Sequence, residues 1–292
     1  MRRYLVDILS TIPGVEFYDD GDNIYVQKGV GPYPCIVAHM DTVHDIVADL
    51  TAVVVAGKIT GINAKTMRQT GIGGDDKVGI YVALEMPREH DNMKVFFARD
   101  EEVGCDGSQL ANPLFFDDVT IALQCDRRGN SDFVTEVCGT KLSSSAFQKA
   151  VLPIISRYGY KFSKGLMTDV MELKQMGILP SMANISCGYY NPHSADEYVD
   201  IGDVERVVRM VSDIITNLGT KSFPHDEPIP KWKKQDAYNW WDDEPARILG
   251  RDMYCQDCRQ MPSTKGDNLC DDCRDWYNMM YSKETRKKYV KK

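Results

Sequence analysis

Five short segments of this 292-residue chain carry side chains able to hold metal ions: HMDTV (His39 to Val43), GGDDKVG (Gly73 to Gly79), DEEVG (Asp100 to Gly104), QCD (Gln124 to Asp126) and YNPHS (Tyr190 to Ser194). Each sets a His, Asp or Glu beside small or turn-forming residues. Together they supply His39, Asp75, Glu102, Asp126 and His193, a set of nitrogen and oxygen donors suited to two divalent cations. Zinc fits it, and cobalt or manganese fits it as well. Glu101 adjoins a ligand and is left over for proton transfer, so the inventory is that of a hydrolase activating water between two metals.

Such donors need rigid elements behind them. His39 and Asp41 follow the apolar run CIVA, Asp100 to Glu102 follow VFFAR, and Asp126 follows IALQC. Carboxyl ends of strands are where open α/β sheets place their sites. The pattern predicts strands at 24–28, 35–39, 53–60, 94–98, 119–124 and 182–186. Helices are predicted at 3–12, 77–86, 143–158 and 203–218. Pro153 should kink the third of these helices. Asp203 is the expected N-cap of the last, and Gly219 follows its end. This alternation predicts a three-layer α/β/α domain on a mostly parallel mixed sheet.

An isolated Asp-Glu-Glu run is usually a solvated turn, and a lone histidine is usually a satisfied core residue. Those readings would all have to hold together in five segments, which sets them aside. His44, His90 and His225 have no motif around them and read as structural. Tyr189 and Tyr190 read as core packing, with an oxyanion donor as the alternative for one of them.

Bulk composition narrows the field. A chain that is 43% hydrophobic and 27% charged is an ordinary globular protein. Its net charge of -8 argues against a protein that coats nucleic acid. No apolar run reaches the roughly 20 residues of a membrane helix, and MRRYLVDILSTIPG reads as an amphipathic helix, not a signal peptide. Of the nine cysteines, Cys35 and Cys125 lie in apolar runs and read as small hydrophobes. The usage suits a reducing compartment, and the expected location is cytoplasmic.

Three units are expected. Residues 1–219 form the di-metal domain. Residues 220–250 hold Trp232, Trp240, Trp241 and four prolines, composing a linker that packs back on a domain or docks a partner. Residues 251–292 contain Cys255, Cys258, Cys270 and Cys273 as paired CxxC knuckles, the pattern of a tetrahedral structural zinc ribbon. A basic helix follows it, for which a protein or nucleic-acid partner is the alternative to a solvated face.

In order and spacing, the five segments resemble the co-catalytic di-zinc exopeptidases, and within them the tripeptidase T group. The resemblance covers about residues 1–218. It implies that His39 and Asp126 hold one metal, Glu102 and His193 hold the other, and Asp75 bridges both. It further implies that Asp41 orients His39, that Glu101 is the general base, and that the Asp75-Asp76 peptide is cis. The tripeptidase T group carries a lid or dimerisation domain of roughly a hundred residues between the last two ligand segments. Here only 66 residues separate Asp126 from His193, so that lid is expected to be missing and the zinc ribbon is an addition. The implied activity is that of an aminopeptidase on short peptides, with a homo-oligomer as one possible assembly. The rivals are an amidohydrolase of N-acyl amino acids or other small amides, and a non-catalytic adaptor working through the ribbon.

Overall fold

From the N-terminus, α1 (Arg2–Leu9) leads into a hairpin of β1 (Val15–Asp19) and β2 (Ile24–Lys28), then β3 (Tyr33–His39). Short strands β4 (Leu50–Val55), β5 (Lys58–Asn63) and β6 (Arg68–Thr70) precede α2 (Gly74–Glu89) and β7 (Met93–Ala98). A single-turn α3 (Asp106–Gln109) and a 3-10 turn (Pro113–Phe116) come before β8 (Val119–Arg127). Next are β9 (Asp132–Val137), β10 (Thr140–Lys141), α4 (Ser145–Arg157), β11 (Lys161–Gly165), α5 (Asp169–Gln175) and β12 (Ser181–Ser186). The series ends with β13 (Tyr189–Tyr190), β14 (Tyr198–Asp200) and α6 (Ile201–Leu218). The computed structural model describes residues 1–225. The Trp-rich segment, the four ribbon cysteines and the basic C-terminal segment lie outside the described residues.

Nine strands form one sheet in the order β1-β2-β7-β3-β8-β12-β9-β10, with β11 beside β9. Its central strands β7, β3, β8 and β12 run parallel, and β1, β2 and β10 pair antiparallel at the flanks. Every residue of β3 and β7 is buried, as expected where helices cover both faces of parallel strands. Alternation along the strands divides the core. Ile36, Ala38, Val95, Phe97 and Leu123 pack with α1, α2, α4 and α6. Cys35, Val37, Phe96 and Ala122 face the other way, onto Val170 and Leu173 of α5 and Phe116. The result is the three-layer α/β/α arrangement. A smaller antiparallel sheet, β13-β14-β5-β4 with β6 on β5, stands beside it.

Several local expectations need correction. The run Val53 to Thr60 is a hairpin, not one strand. Ala56 and Gly57 turn it at φ 49° and 78°, the two positive φ angles of a tight hairpin turn. The first helix stops at Leu9, short of residue 12. α4 runs unbroken through Pro153. α6 is capped by Asp200, whose carboxylate accepts from the backbone N–H of Asp203 at 3.1 Å; Asp203 lies in the first turn. Gly219 is right-handed, with φ -59°. Its lack of a side chain serves close packing, since a Cβ there would lie 2.5 Å from the Ile215 carbonyl oxygen. Beyond it, Ser181 N donates to Phe223 O at 2.9 Å, so the chain continues along the same unit. Between Asp126 and His193 lie only β9 to β13, α4, α5 and their connections, and four of those five strands belong to the large sheet.

Candidate metal centre

Three of the candidate segments are carried to one edge by the parallel core. β3 ends at His39, which pairs with Ala98 at the end of β7, and β8 carries Asp126 near its own carboxyl end. Asp75 comes from the opposite side, in the first turn of α2. His193 follows β13 and has a left-handed backbone, φ 63°.

All five predicted donors converge. His39 Nε2 lies 3.1 Å from Asp75 Oδ1 and 3.6 Å from Asp126 Oδ1. His193 Nε2 lies 3.3 Å from Asp75 Oδ2 and 3.1 Å from Glu102 Oε2. The two oxygens of Asp75 therefore face two different groups, His39 with Asp126 and His193 with Glu102. Asp41 stands behind them. Its carboxylate contacts His39 Nδ1 at 3.2 Å and accepts from the backbone N–H groups of Glu101 and Glu102, each at 3.1 Å. One side chain thus sets both an imidazole and the loop holding the two glutamates. Glu101 itself accepts a weak bond from the Cys105 thiol at 3.7 Å. The peptide between Asp75 and Asp76 is cis.

The donor set fits divalent cations. Single ligand atoms of His39, Asp75 and Glu102 lie within 4.8 Å of one another. Glu102 Oε1 is buried with no hydrogen-bond partner, and His193 Nε2 lies close to two carboxylate oxygens without making a well-formed hydrogen bond to either, an arrangement that costs stability unless something else binds them. The electrostatics agree. Burial disfavours charge on His39, yet Asp126, Asp41 and Asp75 raise its pKa well above the ordinary value. Burial acts the same way on His193, and Asp75 and Glu102 overcome it, to about 10. Burial and the charge of Asp126 lift Glu101 well above the carboxylate range. Burial and Asp75 push Asp126 up to about 7. Burial and mutual repulsion raise Glu101, Glu102 and Asp126 while the two imidazoles hold Asp75 down; divalent cations bound among them would neutralise the same charge.

The support behind the five donors was not legible in the sequence. Gln124 donates from one amide nitrogen to Asp126 at 3.2 Å and Asp169 at 3.0 Å, while its oxygen accepts from Thr168 Oγ1 and Val170 N. Asn184 brackets Asp126 by its backbone, accepting from N at 3.1 Å and donating to O at 2.7 Å. Tyr189 is buried, as read, and its hydroxyl also donates to Asp126 at 3.2 Å. Asp76 accepts from His39 N and Gly79 N. Glu197, fully buried, holds the loop before Asp75 together with His44. Gln124 and Asp76 lie inside the QCD and GGDDKVG segments but beside the expected ligands, and Asn184 and Glu197 lie outside all five segments.

Among solved structures the chain is similar to several peptidases, of which three serve as examples. Aminopeptidase PepT of Bacillus cereus matches with a TM-score of 0.55 and 13% identity, over 74% of this chain and 92% of that one. A tripeptidase from Staphylococcus aureus matches with a TM-score of 0.56 and 12% identity, over 73% and 91%. The TET1 peptidase of Pyrococcus horikoshii, described as assembling into a tetrahedron or a large octahedral shell, matches with 0.52 and 16%, over 73% and 92%. These likenesses show a fold shared with peptidases. No family model and no curated protein matches the chain. No helix among the described residues is long and apolar enough to cross a membrane.

Proposed function

We propose that this chain is a di-metal aminopeptidase that hydrolyses short peptides. The observation that carries the reading is the divided Asp75 carboxylate, with Oδ1 toward His39 and Oδ2 toward His193. A carboxylate so placed suits the bridge of a two-cation site. His39 and Asp126 would hold one ion, Glu102 and His193 the other, with zinc the first candidate and cobalt or manganese acceptable to the same donors. Bound there, such a pair supplies an acidified water and polarises the scissile carbonyl.

The chain's own groups do the rest. Glu101, beside the proposed ligand Glu102, takes a proton from the attacking water and delivers it to the leaving amine. Asp41 fixes the His39 ring and the 101–102 backbone together, so the base and the ligands keep one geometry. The fold shared with solved aminopeptidases supports peptide as the substrate class. The ribbon zinc and a homo-oligomer belong to the same proposal.

The test pairs metal analysis with a substrate comparison. The expected result is two divalent ions bound outside the ribbon, and cleavage of a free dipeptide or tripeptide but not of its N-acetylated form. Equal or faster cleavage of the blocked form would replace the aminopeptidase by an N-acyl amino acid deacylase. A protein with no metal outside the ribbon and no hydrolysis would be an adaptor.

A further inference from the structure

We infer that Glu197, seated by His44, is the positioning residue for the bridging carboxylate of Asp75. The inference rests on the di-metal reading of the site. α2 begins at a left-handed Gly73 that no side chain of its own caps, and Asp75 and Asp76 keep non-helical backbone angles before the regular turns start, so their N–H groups have no helical partner to fall back on. The first N–H groups of a helix lack partners within it. Here a carboxylate more than 120 residues away takes them. Glu197 Oε2 accepts from Gly73 N at 2.6 Å and Oε1 from Asp75 N at 3.2 Å, across separations of 124 and 122 residues.

His44 locks the arrangement. Its Nε2 meets Glu197 Oε2 at 2.8 Å. The glycines of the GIGGDD loop make room for the pair. A Cβ on Gly71 would lie 2.0 Å from the His44 ring, and one on Gly74 would lie 2.8 Å from Val199 Cγ2 and 3.3 Å from Glu197 Oε1. The loop therefore closes on His44 and Glu197 only because those positions lack side chains. Any buried acceptor could cap a helix; this one holds the backbone of the bridging residue itself. Rotation of the 73–75 backbone would carry both Asp75 oxygens away from the two imidazoles. His44 follows His39 by five residues, so the same pair ties the β3 segment to the α2 segment.

The experiment is a Co²⁺ titration of the full-length protein stripped of its catalytic-site metal, read by calorimetry and visible absorption, for wild type, Glu197→Gln and His44→Ala. Thermal midpoints are measured before Co²⁺ is added. Gln keeps the volume but sets an NH₂ against one of the two backbone N–H groups. The expected result is Co²⁺ affinity weakened by about 10- to 100-fold in Glu197→Gln, as for other groups that orient ligands. Its absorption spectrum changes, and its metal-free midpoint stays within a few degrees of wild type. His44→Ala leaves both backbone bonds in place and should weaken binding less, in the same direction. Wild-type affinity and spectrum in both variants overturn the inference. So does a lowered midpoint with unchanged affinity, which marks a structural cap. If Glu197→Gln does not fold, the His44→Ala affinity decides by the same criteria. A wild-type chain that binds no Co²⁺ overturns the di-metal reading and this inference with it, an outcome distinct from failure in the variants alone.

Discussion

Asp75 lies between two imidazoles, and its neighbours determine which substitutions are informative. Glu101 is beside a proposed ligand without being one. Glu101→Gln should keep the metal stoichiometry and lower turnover by about 10²-fold or more, the usual contribution of a proton carrier. Near-normal turnover would remove Glu101 from that role. Asp75→Ala should lose bound metal and activity together, because both groups of donors depend on it. The metal-free site has its own signature. The folded pKa of Asp126 is raised to about 7 and that of Asp169, by burial first, to about 6, so ionising them opposes folding as pH rises from about 4 to 7. Burial notwithstanding, Asp75 and Glu102 raise His193 to about 10, and the stability it lends below its unfolded value is lost as pH rises toward 10. Both effects have one sign. After chelation the thermal midpoint should fall between pH 6 and pH 9, and saturating divalent metal should flatten that slope. A chelated protein that gains stability over this range would contradict the charge crowding described above.

At the level of elements, the site depends on how tightly α2 sits on the end of β3. Asp76 accepts at the same time from His39 N at 3.0 Å and Gly79 N at 2.9 Å, joining strand to helix. A Cβ on Gly79 would lie 2.2 Å from the Asp76 carboxylate. That carboxylate is buried and bonded, so it has no easy retreat. Gly79→Ala should therefore destabilise the protein by about 1–3 kcal/mol, in the range of overpacked cores, and reduce activity through His39. Denaturant unfolding measures the first, and initial rates measure the second. A neutral Gly79→Ala would mean that the strand-helix junction is looser than the packing implies.

For the whole molecule, the described residues contain cores on both faces of the large sheet and a capped final helix. Deleting residues 251–292 should leave a cooperatively folding protein with residual activity on a small chromogenic amide. An insoluble truncation would show that the C-terminal residues complete the domain. Metal also enters the stability of the whole. If the site binds only the folded chain, metal at 100 times its Kd adds about 2.7 kcal/mol, so chelation should lower the thermal midpoint of the full chain by several degrees at neutral pH.

The primary sequence determined the chemistry on offer and much of the frame. Metal-binding residue types at strand ends are local features, and β2, β3, β7, β8 and β12 are apolar runs whose burial needs no distant partner to be recognised. The convergence of His39, Asp75, Glu102, Asp126 and His193 was expected from those motifs, and the geometry brings the five together. What the tertiary structure alone decided is the support behind them. Glu197 reaches Asp75 across 122 residues, Asn184 reaches Asp126 across 58, and Gln124 joins Asp169 across 45. A carboxylate or amide acquires such a role from the sheet order that brings its strand alongside, and no local pattern encodes that order. The short strands β6, β10, β13 and β14 escaped for the same reason, since two or three residues carry no periodicity and are strands only because a neighbour pairs with them. The hairpin at Ala56 and Gly57 was passed over although Gly57 and Lys58 interrupt the apolar run, because the non-glycine Ala56 also has to take a positive φ to make the turn.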